Sequence, residues 1–366
     1  MHVAMLIGAL YKGGAEHVLV NLADYLISQG HNVTVVTQYL KENEYELNKS
    51  AKRILCDITK EETTKSRCVN FKRRFFKLRD IWKQEKPDVV LSFIGKNNIM
   101  AIMTSAGLKI PVVVSVRSEP AREYYNPVLK LLARHLFQHA AGIVLQTKAS
   151  MDFFPKGVRK KAVIMKNPVS PDFFRQRYMG ERDKTIVAVG RVDANKNHQM
   201  LIKAFAGIAE EFPEYKVIIY GEGDKRQELL KLVKDMGIEN QVFLPGNTDH
   251  VADAIYKTRV FVLTSYKEGM PNALIEAMVM GLTVIATNCP CGGPGELIRS
   301  GENGILIPPG DEKALQENLH FLLNNLQEAD AMGQKAMITG EIYSPLNVLG
   351  EWEKYLISQG SGKKRR

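Results

Sequence analysis

The sequence predicts an α/β chain built from two doubly wound parallel sheets, and three observations carry that expectation. Short apolar runs rich in Val, Ile and Leu, suited to strands buried on both faces, alternate with stretches whose apolar residues recur at helical spacing. The alternation breaks once, at Asn167-Pro168-Val169-Ser170-Pro171, and then begins again. The charge changes at the same place: of the 50 Lys and Arg and 40 Asp and Glu, residues 1–168 hold 27 against 14, a net of +13, and the remainder 23 against 26. A chain of 366 residues is long enough for two domains that each bury a core. Residues 1–168 and 169–344 are therefore expected to be two similar halves with a cleft between them.

In the first half, residues 3–8 read as a buried strand. Gly13-Gly14 then opens a helix whose apolar positions are 18, 19, 22, 25 and 26. Residues 32–37, 88–93, 112–116 and 142–146 are further strands, with helices around 97–106 and 127–139, and residues 163–168 a last strand. In the second half, strands are expected at 185–190, 216–220, 242–244, 260–264, 283–286 and 304–308. Helices are expected at 197–211, 224–236, 249–257 and 272–280, followed by 312–326, 330–339 and 350–357. Ligands of such sheets bind beyond the carboxyl ends of the strands. The loops at Gly13-Gly14, 93–97 and 117–122 are therefore expected to face one cleft.

Composition narrows the classes. Apolar residues at 45% and charged residues at 25% are globular averages, which argues against broad disorder. No apolar run approaches the ~18 residues of a membrane span, and the first residues lack a cationic lead, so a cytoplasmic protein is expected. Cys56, Cys68, Cys289 and Cys291 are too scattered for a disulfide framework. Cys289-Pro290-Cys291 has no histidine or second cysteine pair near it in sequence, so no metal site is expected.

The basic excess concentrates at residues 65–86, where Arg67, Lys72, Arg73, Arg74, Lys77 and Arg79 interleave with Phe71, Phe75, Phe76 and Trp82. Positions 71, 75, 78 and 82 share a helical face. One reading packs that face on the sheet with the cations solvated; the other lays a cationic helix on an anionic membrane surface. Nucleic acid is not expected, because no recognisable binding module is present.

The stretch with the most chemistry is Glu268-Gly-Met-Pro-Asn-Ala-Leu-Ile-Glu276. Glu268 is expected in the loop after the strand at 260–264, and Glu276 one turn into the helix that follows Pro271. A helix N-terminus suits phosphate, and two carboxylates suit hydroxyls, although the same pair is also compatible with solvated surface residues. Gly190-Arg191 and Lys196-Asn197, after the first strand of the second half, bring two cations to the same cleft, enough to neutralise a diphosphate leaving group.

These motifs together resemble the retaining glycosyltransferases of family 4, which have the GT-B fold of two Rossmann-like domains. The resemblance spans nearly the whole chain. It rests on Gly13-Gly14-Ala15-Glu16, Gly190-Arg191 with Lys196-Asn197, Gly221-Glu222-Gly223, and Glu268 to Glu276, which looks like the family's E-x7-E signature. The resemblance implies that Arg191 and Lys196 bind the donor diphosphate, aided by the backbones of Gly13, Gly14, Met270, Pro271 and Asn272. It further implies that Glu268 holds the transferred sugar and Glu276 the ribose, while Gly221, Gly223 and Asn247 line the nucleotide. A final helix at 345–361 is expected to return to the first, acceptor-binding half. Many members carry His after the strand that here ends at Val116, whereas this chain has Arg117, which could hold a sugar hydroxyl or the phosphate. His17 and His198, each on an expected helix, are given surface or packing roles.

The implied activity is transfer, with retention and without a metal or other cofactor, of a hexose or N-acetylhexosamine from a nucleoside diphosphate sugar, UDP first. The acceptor would be a polyprenyl-diphosphate-linked saccharide at the cytoplasmic membrane face, met by Arg67, Lys72, Arg73, Arg74, Phe75 and Lys77. A sugar-nucleotide epimerase of the same fold, or a non-catalytic basic binder, are the competing classes.

Overall fold

The computed structural model describes residues 1–11, 13–59, 62–290 and 292–361. The basic run at 363–366 and Cys291 lie outside the described residues. The chain divides into two compact units, one formed by Met1–Pro168 with Leu346–Arg366 and the other by Val169–Pro345.

Unit 1 runs β1 (His2–Ile7), α1 (Gly14–Ser28), β2 (Asn32–Thr37), β3 (Lys52–Leu55), α2 (Arg67–Glu85), β4 (Val89–Phe93), α3 (Gly95–Ser105), β5 (Val112–Ser115), α4 (Pro120–Glu123), α5 (Pro127–Leu136), β6 (Gly142–Leu145), α6 (Lys156–Arg159) and β7 (Ala162–Ile164). Its seven strands are ordered β3-β2-β1-β4-β5-β6-β7 and pair in parallel, with Met5 of β1 level with Val35 on one side and Leu91 on the other. Strands buried on both faces need apolar residues at consecutive positions, and Val3 to Leu6 are all fully buried.

Unit 2 runs β8 (Asp183–Val189), α7 (His198–Ala206), β9 (Lys216–Tyr220), α8 (Arg226–Asp235), β10 (Val242–Gly246), α9 (Val251–Tyr256), β11 (Thr258–Leu263), α10 (Asn272–Val279), β12 (Thr283–Thr287), α11 (Gly293–Leu297), β13 (Ile305–Ile307), α12 (Glu312–Asn324) and α13 (Leu326–Gly340). Its strand order is β10-β9-β8-β11-β12-β13. Both sheets reverse direction of growth beside their first strand, between β1 and β4 and between β8 and β11. Loops leaving the carboxyl ends of those strands flank the crevice where such folds bind ligands.

The last helix, α14 (Pro345–Gly360), returns the chain to unit 1. Val348, Leu349, Trp352 and Leu356 join the core formed by α1 and the first sheet. Trp352 stacks on Phe93 with ring centroids 6.4 Å apart, and its indole Nε1 donates to the Lys166 carbonyl at 3.3 Å.

Three sequence expectations need correction. Strand β3 was absent from them: as an edge strand it is only half-buried, so Lys52-Arg-Ile-Leu55 lacks a continuous apolar run. Helix α7 stops at Ala206 rather than 211, with Gly207 at its C-cap. The apolar stripe of α2 meets the sheet only in its second half. Leu78, Ile81 and Trp82 are buried, whereas Phe71 is 46% exposed and Phe75 half-buried.

Candidate functional site

Unit 2 gathers its polar residues where the sheet order reverses. After β8 the chain crosses Gly190 and Arg191 and enters α7 through Asn197, whose backbone is left-handed. This turn lies against the loop after β11. The Tyr266 N–H donates to the Asn195 carbonyl at 2.8 Å, Asn195 Nδ2 to the Lys267 carbonyl at 3.0 Å, and Thr264 Oγ1 to the Lys196 carbonyl at 2.8 Å. Three cross-links of this kind fix the two loops as one rigid surface.

On that surface Lys196 Nζ and Glu268 Oε1 form an ion pair at 2.7 Å, both side chains being mostly buried at 16% and 14% exposure. Ser265 Oγ donates to the same carboxylate oxygen at 2.7 Å. Arg191 is 65% exposed and pairs with Asp193 at 2.9 Å, while the Asp193 carboxylate also accepts from the Lys196 N–H at 2.9 Å. Both expected diphosphate cations therefore already have a carboxylate beside them. An anion arriving there would exchange partners with these carboxylates rather than meet free charges.

Glu276 sits in the second turn of α10, half-buried. Burial pushes its carboxyl up to about 7, with the Lys196 charge opposing the shift. Met270 and Pro271 are buried ahead of α10, and Asn272 begins it, so the first-turn N–H groups of this helix lie between the two glutamates in sequence. Behind them, burial raises the Cys289 thiol to about 11, with the Glu268 charge adding to the effect. It is thus a neutral packing group rather than a thiolate.

The nucleotide-lining residues expected from sequence form a second wall of unit 2. Gly221 and Gly223 pass so close to the β8 loop that a side chain at either would run into the carbonyl of Gly190 or Val192. The Gly221 N–H donates to the Gly246 carbonyl at 2.9 Å, which ties this loop to exposed Asn247 just beyond β10. His198 is buried. Its Nε2 lies 3.2 Å from the Arg191 carbonyl, and burial drops it to about 4, so it is a neutral support for the loop.

In unit 1, Gly13 caps α1 and Gly14 begins it, as the strand-to-helix reading requires. Glu16 folds back toward this N-terminus, where a side chain on residue 13 would collide with its carboxylate. Arg117 lies two positions beyond β5: its guanidinium donates to Asn167 Oδ1 and lies over the Phe93 ring, 5.9 Å from the centroid, and burial lowers it to about 10, with the Glu123 charge opposing the shift. On α2, Arg73 and Lys77 donate to the carbonyls of Glu62 and Asp57, and Arg74 pairs with the Asp57 carboxylate at 3.1 Å. Val69, Phe71 and Phe76 remain exposed on the same half of the helix as Arg67 and Lys72.

Sequence reasoning missed Ser265, Asn195, Glu123 and Asn167. Serine and asparagine in loops carry no pattern of their own, and each acquires meaning only through the carboxylate, carbonyl or guanidinium it meets.

Residues 12–173 match the family described as Glycosyltransferase Family 4, and residues 170–338 match Glycosyl transferases group 1. A Campylobacter jejuni protein named GalNAc-alpha-(1->4)-GalNAc-alpha-(1->3)-diNAcBac-PP-undecaprenol alpha-1,4-N-acetyl-D-galactosaminyltransferase is 28% identical over 358 residues, covering 97% of this chain and 98% of that one. The amylovoran biosynthesis glycosyltransferase AmsD of Erwinia amylovora is 22% identical over 95% of this chain and 97% of its own. Among solved structures, HepE of Anabaena in complex with UDP superposes with a TM-score of 0.81 at 18% identity, covering 98% of this chain and 100% of that one. Sucrose-phosphate synthase of Thermosynechococcus elongatus gives 0.82 at 16% identity, with 99% of each chain covered.

Proposed function

Starting from a chain that belongs to the GT-B glycosyltransferases of the group 1 and family 4 kind, we propose that it moves a hexose or N-acetylhexosamine from UDP to a saccharide on a polyprenyl diphosphate. The observation that carries this reading is the Lys196–Glu268 pair, with Glu276 one turn into α10, at the reversal point of the second sheet. Arg191 and Lys196 take the donor diphosphate as it departs. In exchange for their carboxylate partners they gain the phosphate oxygens, and the first-turn N–H groups after Pro271 add to them. The released Glu268 accepts hydrogen bonds from hydroxyls of the transferred sugar, oriented by Ser265. Glu276 takes the ribose hydroxyls, and Gly221, Gly223 and Asn247 border the base.

The bond from the anomeric carbon to the phosphate oxygen breaks with its electrons going to the leaving diphosphate. The acceptor hydroxyl attacks the oxocarbenium-like carbon from the same face and gives its proton to the departing phosphate oxygen, so configuration is retained without an enzyme nucleophile. The two cations supply the charge stabilisation that other transferases draw from a metal. In unit 1, the backbones of Gly13 and Gly14 and the side chain of Arg117 offer donors to ligand oxygens. The cationic half of α2, with exposed Phe71 and Phe76, favours an acceptor held at an anionic membrane surface on the cytoplasmic side. The undecaprenol-linked substrate named for the Campylobacter relative supports the same acceptor class.

The test is a thermal-shift and turnover series with nucleoside diphosphate sugars. UDP and one UDP-sugar should raise Tm, and turnover should persist in EDTA. Lys196→Ala should lower kcat/KM by about a hundredfold or more. Glu268→Ala should cut kcat while leaving UDP affinity within a few-fold. The product's anomeric configuration by NMR reads retention directly. If no nucleotide sugar stabilises the protein at millimolar concentration, the reading fails; a new sugar epimer formed without acceptor would replace it with epimerase chemistry.

A further inference from the structure

Arg117 stands just beyond β5, at the carboxyl edge of the first sheet, and two other side chains fix it there. Asn167 Oδ1 accepts from its guanidinium Nη2 and also from Gln146 Nε2 at 3.1 Å. Glu123 holds the main chain. Its Oε1 accepts from the N–H groups of Arg117 and Ser118 at 2.6 and 2.8 Å, and its Oε2 from the Gly95 N–H at 3.0 Å. The Glu123 carboxylate is thus committed to backbone donors of two loops rather than to the guanidinium.

The side-chain acceptor that Arg117 does have is a neutral amide, and among the described residues no carboxylate pairs with it. Its buried Nε and Nη1 have no hydrogen-bond acceptor among the described residues. The Glu123 charge nearby offsets part of the burial of the guanidinium, but buried donors left open are costly and call for an ion or ligand. A sugar hydroxyl would fill one of these donors and leave the other open, whereas a phosphate offers oxygens to both and fits the planar fork of arginine. The residue as a whole is only half-buried, so it is not closed to solvent.

We propose that Arg117 is an anion-binding residue of unit 1 that takes a phosphate of a diphosphate ligand, with Asn167 and Glu123 as the residues that position it. This rests on the transferase reading and deepens it, because diphosphate occurs both on the nucleotide donor and on the polyprenyl acceptor. Asn167 supplies a neutral tether, which keeps the guanidinium's charge available. Glu123 sets the loop from which it projects.

Calorimetry on the full chain with UDP, and separately with a short-chain prenyl diphosphate, distinguishes the two sources. Arg117→Ala should weaken binding of at least one by about ten- to a hundredfold, and the ligand affected names the source. Asn167→Asp carries the sharper test: it preserves shape and tether but gives the arginine a carboxylate partner. It should keep or raise Tm while weakening the same ligand about tenfold. Glu123→Gln should raise KM for that ligand about tenfold, with Glu123→Asp recovering part of the loss. Unchanged affinity for both ligands in Arg117→Ala, or in a stably folded Asn167→Asp, overturns the proposal. That outcome, with wild-type turnover and Lys196→Ala loss intact, leaves the transferase reading standing; a wild type that binds neither diphosphate overturns both.

Discussion

Glu276 makes the site's response to pH depend on one carboxyl. Held at about 7 by burial, against an ordinary value of 4.5, it keeps its proton more tightly in the folded chain than in the unfolded one. Its contribution to stability is therefore full below about 4.5 and fades as pH rises through about 7. In the proposed ribose contact ligand binding would have the opposite sign, because the ionised carboxylate is the stronger acceptor for hydroxyls. UDP affinity is expected to rise between about pH 6 and about pH 8, and Glu276→Gln should flatten the profile; a wild-type profile already flat would remove Glu276 from the ribose contact. At this scale the sequence was legible where residue type and spacing coincide with a strand-to-helix loop, as for Arg191, Lys196, Glu268 and Glu276. It was silent on partners that meet through space. Nothing in Glu123 or Asn167 marks them as supports of Arg117, since 50 residues separate Asn167 from the arginine it holds.

Helices and strands were readable in proportion to how deeply they are buried. The runs at β1, β4, β5, β8 and β11 announce themselves because both faces need apolar residues, whereas the half-buried edge strand β3 does not. Helix α2 mixes the two situations. Its second half obeys the core, with Trp82 fully buried and its Nε1 donating to Thr104 Oγ1 at 2.9 Å. Its first half presents Phe71 and Phe76, at 46% and 57% exposure, among cations. Exposed aromatics contribute little to folding, so replacing both with Ser should leave Tm within a degree or two. The same change should sharply reduce co-flotation with vesicles containing anionic lipid and spare UDP binding. Undiminished flotation would assign the exposed rings another purpose.

The whole molecule is two sheets of the same winding whose units differ in continuity. Unit 2 is one uninterrupted segment, whereas unit 1 is finished by α14, after the 177 residues of Val169–Pro345. Trp352 fills the space over Phe93 and the β7 exit, so Trp352→Ala should destabilise unit 1 by about 3–5 kcal/mol. Denaturant unfolding should then resolve two transitions, with the one reporting on unit 2 unmoved. The two-unit division was legible from the change in charge and the proline-marked break at 168. The return of the last helix to unit 1 was implied by the family resemblance, but the residues it packs against were not legible, because an amphipathic stripe states that a face is covered without stating by what.

The return of α14 also sets an order of events on the ribosome. Unit 2 has its complete sequence once Pro345 has emerged, while unit 1 still lacks Val348, Leu349, Trp352 and Leu356. The earlier half must wait, with an apolar face uncovered, for the last helix to appear. A chain stopped directly after Pro345 should accumulate a protease-resistant second unit attached to a protease-sensitive first one.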